Sequence, residues 1–284
     1  MKTVALLVLA AGLLCSCSKK NDTPVTPTPP VTVKLDRIAK IETFSYEGGE
    51  KECTYEIKFN YDSQLRLASI VDRNPSNPLI AEIDGTFEYS GRTVKFVYND
   101  HKATADLTQA TEYNLSLDGG GKATKLETKL YYRDPGVVTL TQKDYEYDQE
   151  GHLKKYVFEN VKISFKWQNK NMIEWTRTVT TEKDGVINTD ITTEPWKYDK
   201  TPSNHTYPDL NRFLAGETVE SMWVDYFGLR SARLASGYTA GLGTSYQRNK
   251  TFKYTLDAKG RPSEVKESEN SKLRQLHVIT YLQN

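Results

Sequence analysis

From Leu35 to the C-terminus, apolar and polar residues alternate with a period of two over many short segments. Residues 161–168, for example, read Val-Lys-Ile-Ser-Phe-Lys-Trp-Gln, and residues 54–61 alternate in the same way. Such alternation places apolar side chains on one face of a strand and polar side chains on the other, as in half-buried antiparallel sheets. Turn-forming pairs such as Asp184-Gly185 separate the segments. The pattern predicts an all-β fold, an antiparallel meander of about a dozen or more strands.

A weak internal repeat lies within this pattern. In each copy an Asp begins the turn, where its carboxylate can accept hydrogen bonds from backbone amides two residues on. Three positions later, Gly151 and Gly260 can adopt the positive φ that closes a tight hairpin, whereas Leu65 holds that position in the first copy. We interpret these aspartates as structural rather than catalytic. The copies span residues 59–67, 145–153 and 254–262.

The segment from Tyr198 to Gly243 departs from the alternation. Pro208 and Asp209 suit the first turn of a helix, and apolar residues recur at helical spacing in residues 217–229. The sequence therefore predicts a short helical insertion near residues 208–229. Two interpretations are open: a structural cap over one end of the sheet, or a lid or plug that carries a binding site.

The N-terminus has the pattern of a targeting signal. Residues 4–14 form an apolar run behind Lys2 that is too short to cross a bilayer as a helix and typical of a signal peptide. Cys17 follows, with Leu14 three residues before it and the small Ser16 directly before it, which resembles the bacterial lipobox. We expect Cys17 to be lipidated; the alternative is an ordinary secretory signal cleaved nearby.

Three regions follow from these features. Residues 1–16 form a lipoprotein signal peptide, residues 17–33 form the lipidated cysteine and a Pro/Thr-rich tether, and residues 34–284 form a single antiparallel β domain. Four prolines in the tether favour extended polyproline II structure. The N-terminal lipid would hold the protein at the outer membrane, on either the cell-surface or the periplasmic face.

Composition narrows the classes of partner. The chain has 38 Lys and Arg against 37 Asp and Glu, so it lacks the basic excess that phosphate recognition requires, and we expect no nucleic-acid partner. After loss of the signal peptide, Cys53 is the one cysteine besides Cys17, which leaves no pair for a disulfide between unmodified thiols. The contents of 37% apolar and 26% charged residues indicate a globular domain.

Catalytic and cofactor motifs are missing from the sequence. The four histidines are scattered singly, without the spacing of a zinc site, and there is no Gly-x-Ser-x-Gly elbow, phosphate loop or dinucleotide fingerprint. We therefore expect no cofactor, no metal and no catalytic residues. The alternative is a hydrolase that acts on a glycan or another envelope or dietary polymer, with Glu217 and Glu220 as the first pair of carboxylates to inspect.

Aromatic residues in and beside the insertion are the candidate binding residues. Trp196 stands at its entrance and Trp223 within it, where each could stack on a sugar ring or pack in the core. Tyr226 and Arg230 lie in the same segment. The expected ligand is a glycan, a peptide or an envelope protein partner.

The lipobox, the tether and the repeated aromatic-x-Tyr-Asp-x-x-Gly-Arg/His-Leu hairpins resemble an uncharacterised family of secreted β-rich bacterial lipoproteins that are described as porin-like. The hairpins also resemble the Tyr-Asp repeats of large secreted shell proteins. The resemblance implies a strongly curved antiparallel sheet or a barrel, and it implies no activity. Because the chain has a lipid anchor and lacks a terminal aromatic residue, we expect an anchored domain outside the bilayer rather than a membrane-spanning barrel.

These expectations combine into one functional hypothesis. We expect a lipid-anchored cell-envelope protein without catalytic activity that acts as a binding or scaffolding component at the outer membrane. A purely structural protein that pairs through a sheet edge or an apolar patch is the remaining interpretation.

Overall fold

The computed structural model describes residues 35–46, 50–77, 82–101, 108–132 and 136–283, with the backbone alone at residues 82, 108, 109 and 136–144. The predicted signal peptide, Cys17 and the tether lie outside the described residues. The described chain forms 17 strands, two short α-helices and a 3-10 helix.

The strands are β1 Asp36–Ser45, β2 Glu52–Tyr61, β3 Leu67–Arg73, β4 Glu82–Ser90, β5 Thr93–Asp100, β6 Thr108–Leu117, β7 Ala123–Tyr132, β8 Gly136–Tyr147, β9 Leu153–Phe158, β10 Val161–Gln168, β11 Asn171–Lys183, β12 Val186–Lys197, β13 Thr206–Tyr207, β14 Gly237–Ala240, β15 Arg248–Leu256, β16 Pro262–Glu269 and β17 Lys272–Tyr281. The helices are α1 Leu210–Leu214, α2 Thr218–Trp223 and the 3-10 helix Val224–Phe227.

Sixteen of the strands form one antiparallel meander that curves into a barrel. Each strand from β1 to β12 pairs with the next, β12 pairs with β14 across the insertion, and the order continues to β17. Strand β17 pairs antiparallel with β1, which brings the two ends of the sheet together. The short β13 pairs parallel with β1. The predicted all-β meander with a helical insertion is confirmed.

The two faces of the barrel wall differ in polarity, as the period-two pattern predicts. Ile57 and Phe59 of β2 and Phe96 of β5 are buried on the inner face. Outer-face residues include Glu56, which binds Lys40, Lys58 and Arg73, and Glu112, which binds Lys95 and Lys129. The outer wall therefore carries ladders of charged side chains across neighbouring strands.

Four hairpin turns at one end of the barrel share the predicted Asp geometry. In each, the carboxylate of the first residue accepts from backbone amides, and the residue three positions later has positive φ. Leu65 adopts this conformation at φ 59° without being glycine. The predicted turns at Asp62, Asp148 and Asp257 are confirmed, and Asp118 begins a fourth that the repeat alignment did not include.

Each Asp turn is also locked by an aromatic residue near the end of the second strand after the turn. A basic side chain four positions after the Asp lies against this ring. The Tyr hydroxyl or Trp indole N–H of the ring donates a hydrogen bond to the backbone carbonyl oxygen of the residue that follows the basic residue. The four sets of basic residue, ring and accepting residue are Arg66, Tyr89 and Leu67; Lys122, Tyr147 and Ala123; His152, Trp167 and Leu153; and Arg261, Tyr281 and Pro262.

The insertion between β12 and β14 enters from this Asp-turn end and fills the barrel. Trp223 packs edge-on against Phe96 and Tyr113, with ring centroids 6.1 and 5.3 Å away. The ring of Phe213 in α1 packs against the rings of Tyr55 in β2 and His277 in β17. The helices thus pack against inner faces from β2 to β17 and form part of the core. Among the described residues, no helix has the length and apolarity needed to cross a membrane.

Candidate functional site

A cavity of about 70 Å³ remains between α2 and the inner wall of strands β6 to β10. The wall contributes residues from five consecutive strands, because inner-face side chains at the same height converge when the sheet curves. The insertion closes the opposite side. The lining residues are Tyr113, Leu126, Tyr145, Leu153, Tyr156, Phe165, Arg212, Glu217, Val219, Glu220, Trp223 and Phe227.

Aromatic rings form most of the cavity wall. The ring centroids of Tyr113 and Trp223 are 5.3 Å apart and the ring planes meet at 89°. Phe227 stacks on Tyr145, with ring centroids 5.3 Å apart and an angle of 27° between the planes. Burial raises the pKa of Tyr113 to about 12, and it raises the pKa of Tyr145 and Tyr156 further. These phenols are therefore neutral at physiological pH.

Arg212 and Glu217 form an ion pair at the cavity wall. The Arg212 Nη1 and Glu217 Oε2 atoms are 2.6 Å apart, and the guanidinium lies 5.1 Å from the centroid of Phe165. Burial acts to lower the pKa of Arg212, but the neighbouring Glu217 and Asp209 carboxylates outweigh it and hold the pKa above its ordinary value. The pair is thus held in its charged form.

Glu220 lines the same cavity without a cationic partner. Its side chain reaches solvent, and in the described part of the chain no Lys, Arg or His nitrogen lies within 4.0 Å of its carboxylate. Partial desolvation by the surrounding protein, and secondly the charge of the Glu217 carboxylate, raise the pKa of Glu220. A hydrogen bond from its own backbone amide and the charge of Arg212 act to lower this pKa. Among the described residues, Glu220 therefore gives the cavity a negative charge that has no ion-pair partner.

The four residues proposed from sequence lie around the insertion, and one of them lines this cavity. Trp223 is 1% exposed and forms part of the wall. Trp196 is buried and stacks on Tyr238, with ring centroids 4.9 Å apart. Tyr226 is 2% exposed. The binding role of these residues stays a prediction.

Arg230 is held by charged and polar groups of the insertion. Its guanidinium pairs with Asp225, donates to the Thr206 carbonyl oxygen and lies 3.8 Å from Asp209 Oδ2. Together with Trp196 it lines a second, smaller cavity of about 20 Å³. This network holds the end of the insertion against β13.

Sequence reasoning missed the wall residues Tyr113, Tyr145, Tyr156 and Phe227. The period-two alternation places the three tyrosines on the inner face of their strands, and this pattern could have identified them as candidate wall residues. Which inner-face residues meet the insertion depends on how the sheet closes, and the alternation holds no information on closure.

The cavity also has features that bear on chemistry. Glu217 and Glu220, the pair considered for a hydrolase, both line it. Within the described ranges, no three His, Cys, Asp or Glu side chains converge as a metal ion would require.

Two solved structures share this fold. A porin-like protein from Bacteroides uniformis ATCC 8492 superposes with a TM-score of 0.52 at 14% identity, covering 88% of this chain and 100% of that chain. A porin-like protein from Bacteroides vulgatus ATCC 8482 gives a TM-score of 0.54 at 15% identity with the same coverage. No protein-family model and no curated protein matches the sequence. The chain is thus similar in fold to bacterial porin-like proteins.

Proposed function

We propose that this chain is a non-catalytic binding protein of the bacterial cell envelope that takes its ligand in the cavity beside α2. The observation that carries the proposal is the aromatic cavity itself, with the unneutralised Glu220 at its edge. Binding sites combine apolar and aromatic walls with a few polar groups in this way. The protein is attached to the outer membrane through lipid on Cys17.

The charged outer wall supports a position outside the bilayer. A membrane-spanning barrel faces lipid with apolar residues, and a Lys or Arg on its lipid face at the bilayer midplane costs on the order of 2–4 kcal/mol. Glu56 and Glu112 each gather basic residues from neighbouring strands on this wall. Such ladders suit water on the outside and a packed core inside.

Filling the cavity tests the proposed site. The Val219 side chain lines the cavity, so Val219→Phe would occupy it, whereas Val186→Phe adds the same group to an exposed hairpin. The full chain and both variants would be screened on glycan and peptide arrays, with folding checked by circular dichroism. We expect saturable binding that Val219→Phe abolishes and Val186→Phe retains. Binding unaffected by Val219→Phe would contradict the proposal, and so would binding to none of the array probes and none of the cationic probes described below.

A hydrolase is the second candidate, because Glu217 and Glu220 line one cavity and differ in surroundings. The raised pKa of Glu220 suits a general acid, and the Arg212 ion pair of Glu217 suits a carboxylate that stays ionised. Hydrolysis of chromogenic glycosides that is lost in folded Glu217→Gln and Glu220→Gln would establish this candidate in place of the binding protein.

A further inference from the structure

We propose that the cavity beside α2 recognises a compact organic ammonium group, a class that includes quaternary ammonium and alkylammonium headgroups. The inference rests on the proposed function, because it names the ligand of the same site. It is carried by the charge of the lining residues, by the aromatic walls and by the size of the space.

The charge of the cavity favours a cation. Among the described lining residues, three are charged, namely Arg212, Glu217 and Glu220. The first two neutralise each other at 2.6 Å, so the ionised Glu220 leaves the site one negative charge in excess. A ligand with one positive charge would restore neutrality.

The aromatic walls suit the same class of ligand. The faces of Trp, Tyr and Phe rings attract cations through their quadrupoles, and groups of such rings bind alkylated ammonium ions. Tyr113 and Trp223 stand perpendicular to each other, while Tyr145 contacts both Phe227 and Tyr156. The cavity therefore has walls in several orientations, as a cage around a rounded headgroup requires.

The size of the space limits what can enter. About 70 Å³ is less than the ~150 Å³ of an engineered apolar cavity that accepts benzene. A trimethylammonium or primary ammonium head fits this limit better than a sugar ring does. A larger ligand would insert its cationic end and leave the rest outside.

The test compares a cation with its neutral carbon isostere. Titration calorimetry on the full chain at pH 8, at fixed ionic strength, would use choline, Nα-acetyl-lysine amide and 3,3-dimethyl-1-butanol, which replaces the choline nitrogen with carbon. We expect at least one of the two cations to bind ten or more times as tightly as the isostere. Comparison of the two cations distinguishes a quaternary from a primary ammonium source.

Two pairs of variants assign the preference to the cavity. Glu220→Gln should reduce cation affinity to that of the isostere, whereas Glu88→Gln, which changes an exposed residue of β4, should leave it unchanged. Tyr156→Leu should weaken cation binding about tenfold, and Tyr156→Phe, which keeps the ring face, should stay within about twofold.

The outcomes separate this inference from the proposed function. Equal affinity for choline, lysine amide and the isostere, or an unchanged preference in Glu220→Gln, would overturn the inference while the cavity remained a binding site. If no ammonium probe binds but the arrays give a neutral ligand that Val219→Phe abolishes, the inference likewise fails alone. If no probe of either kind binds, both fail.

Discussion

The carboxyl group of Asp72 is buried on the inner face of β3. Its protonation should govern part of the pH dependence of the free energy of unfolding. Burial raises its pKa to about 6, although a hydrogen bond from Tyr55 acts to lower it. The folded state therefore binds a proton more tightly than the unfolded chain does. The contribution of Asp72 to the free energy of unfolding therefore decreases as the pH rises from about 4 to about 6.

The variant Asp72→Asn removes this titration and retains a polar group of similar shape. Above pH 6 we expect the variant to exceed the wild type in unfolding free energy by on the order of 1–3 kcal/mol, and to show no such gain near pH 3.5. Urea denaturation at both pH values measures the difference. A variant less stable than wild type at pH 8 would show that the ionised Asp72 is favourably paired.

The Asp turns show how far single residues could be predicted. The backbone role of Asp62 follows from its place before a turn, since carboxylates there accept from amides two residues on. The contact of Arg66 with Tyr89 could not be predicted, because it joins residues 23 positions apart whose strands become neighbours only in the folded sheet. Local hydrogen bonding was therefore readable from the sequence, and the ring that locks each turn was not.

At the scale of elements, the insertion is attached to the turn between β8 and β9 through Gly228. This residue has φ 92°, and an added Cβ would lie 2.2 Å from the Gly151 carbonyl oxygen. That oxygen also accepts the Leu229 amide at 3.1 Å. A side chain at position 228 would therefore push the insertion away from the barrel wall.

Gly216 provides a matched control, since it has φ 86° and an added Cβ would meet no atom within 4 Å. Gly216→Ala should cost about 1–2 kcal/mol of unfolding free energy from its positive φ alone. Gly228→Ala should cost at least about 2 kcal/mol more, or release the insertion. Chemical denaturation measures both variants. Equal costs would mean that the Gly151 contact does not hold the insertion.

The position of the helical insertion near residues 208–229 was predicted, whereas its placement was left open between a cap over one end of the sheet and a lid or plug. Helical spacing and the Pro208-Asp209 start are local signals, and Asp209 does accept the Arg212 amide as the N-cap. Packing of Trp223 against β5 and β6 depends on closure of sixteen strands. The sequence around Trp223 would look the same whether its ring stacks on a ligand or packs in the core.

At the scale of the whole molecule, the barrel has a filled interior and a charged exterior. Its first strand begins at Asp36 on the Asp-turn end, where the Arg261 guanidinium lies 3.7 Å from the Asp36 carboxylate. A tether that ends at residue 33 would therefore join the barrel at this end.

Detergent phase separation of the full chain and of Cys17→Ser, both expressed in a Gram-negative host, tests directly whether the lipid alone attaches this barrel to the envelope. We predict that the wild type enters the detergent phase and that Cys17→Ser, once residues 1–16 are removed by a protease site placed before residue 17, moves to the aqueous phase. A Cys17→Ser protein without residues 1–16 that remained in the detergent phase would show that the barrel wall itself contacts lipid, and it would contradict a water-facing binding protein.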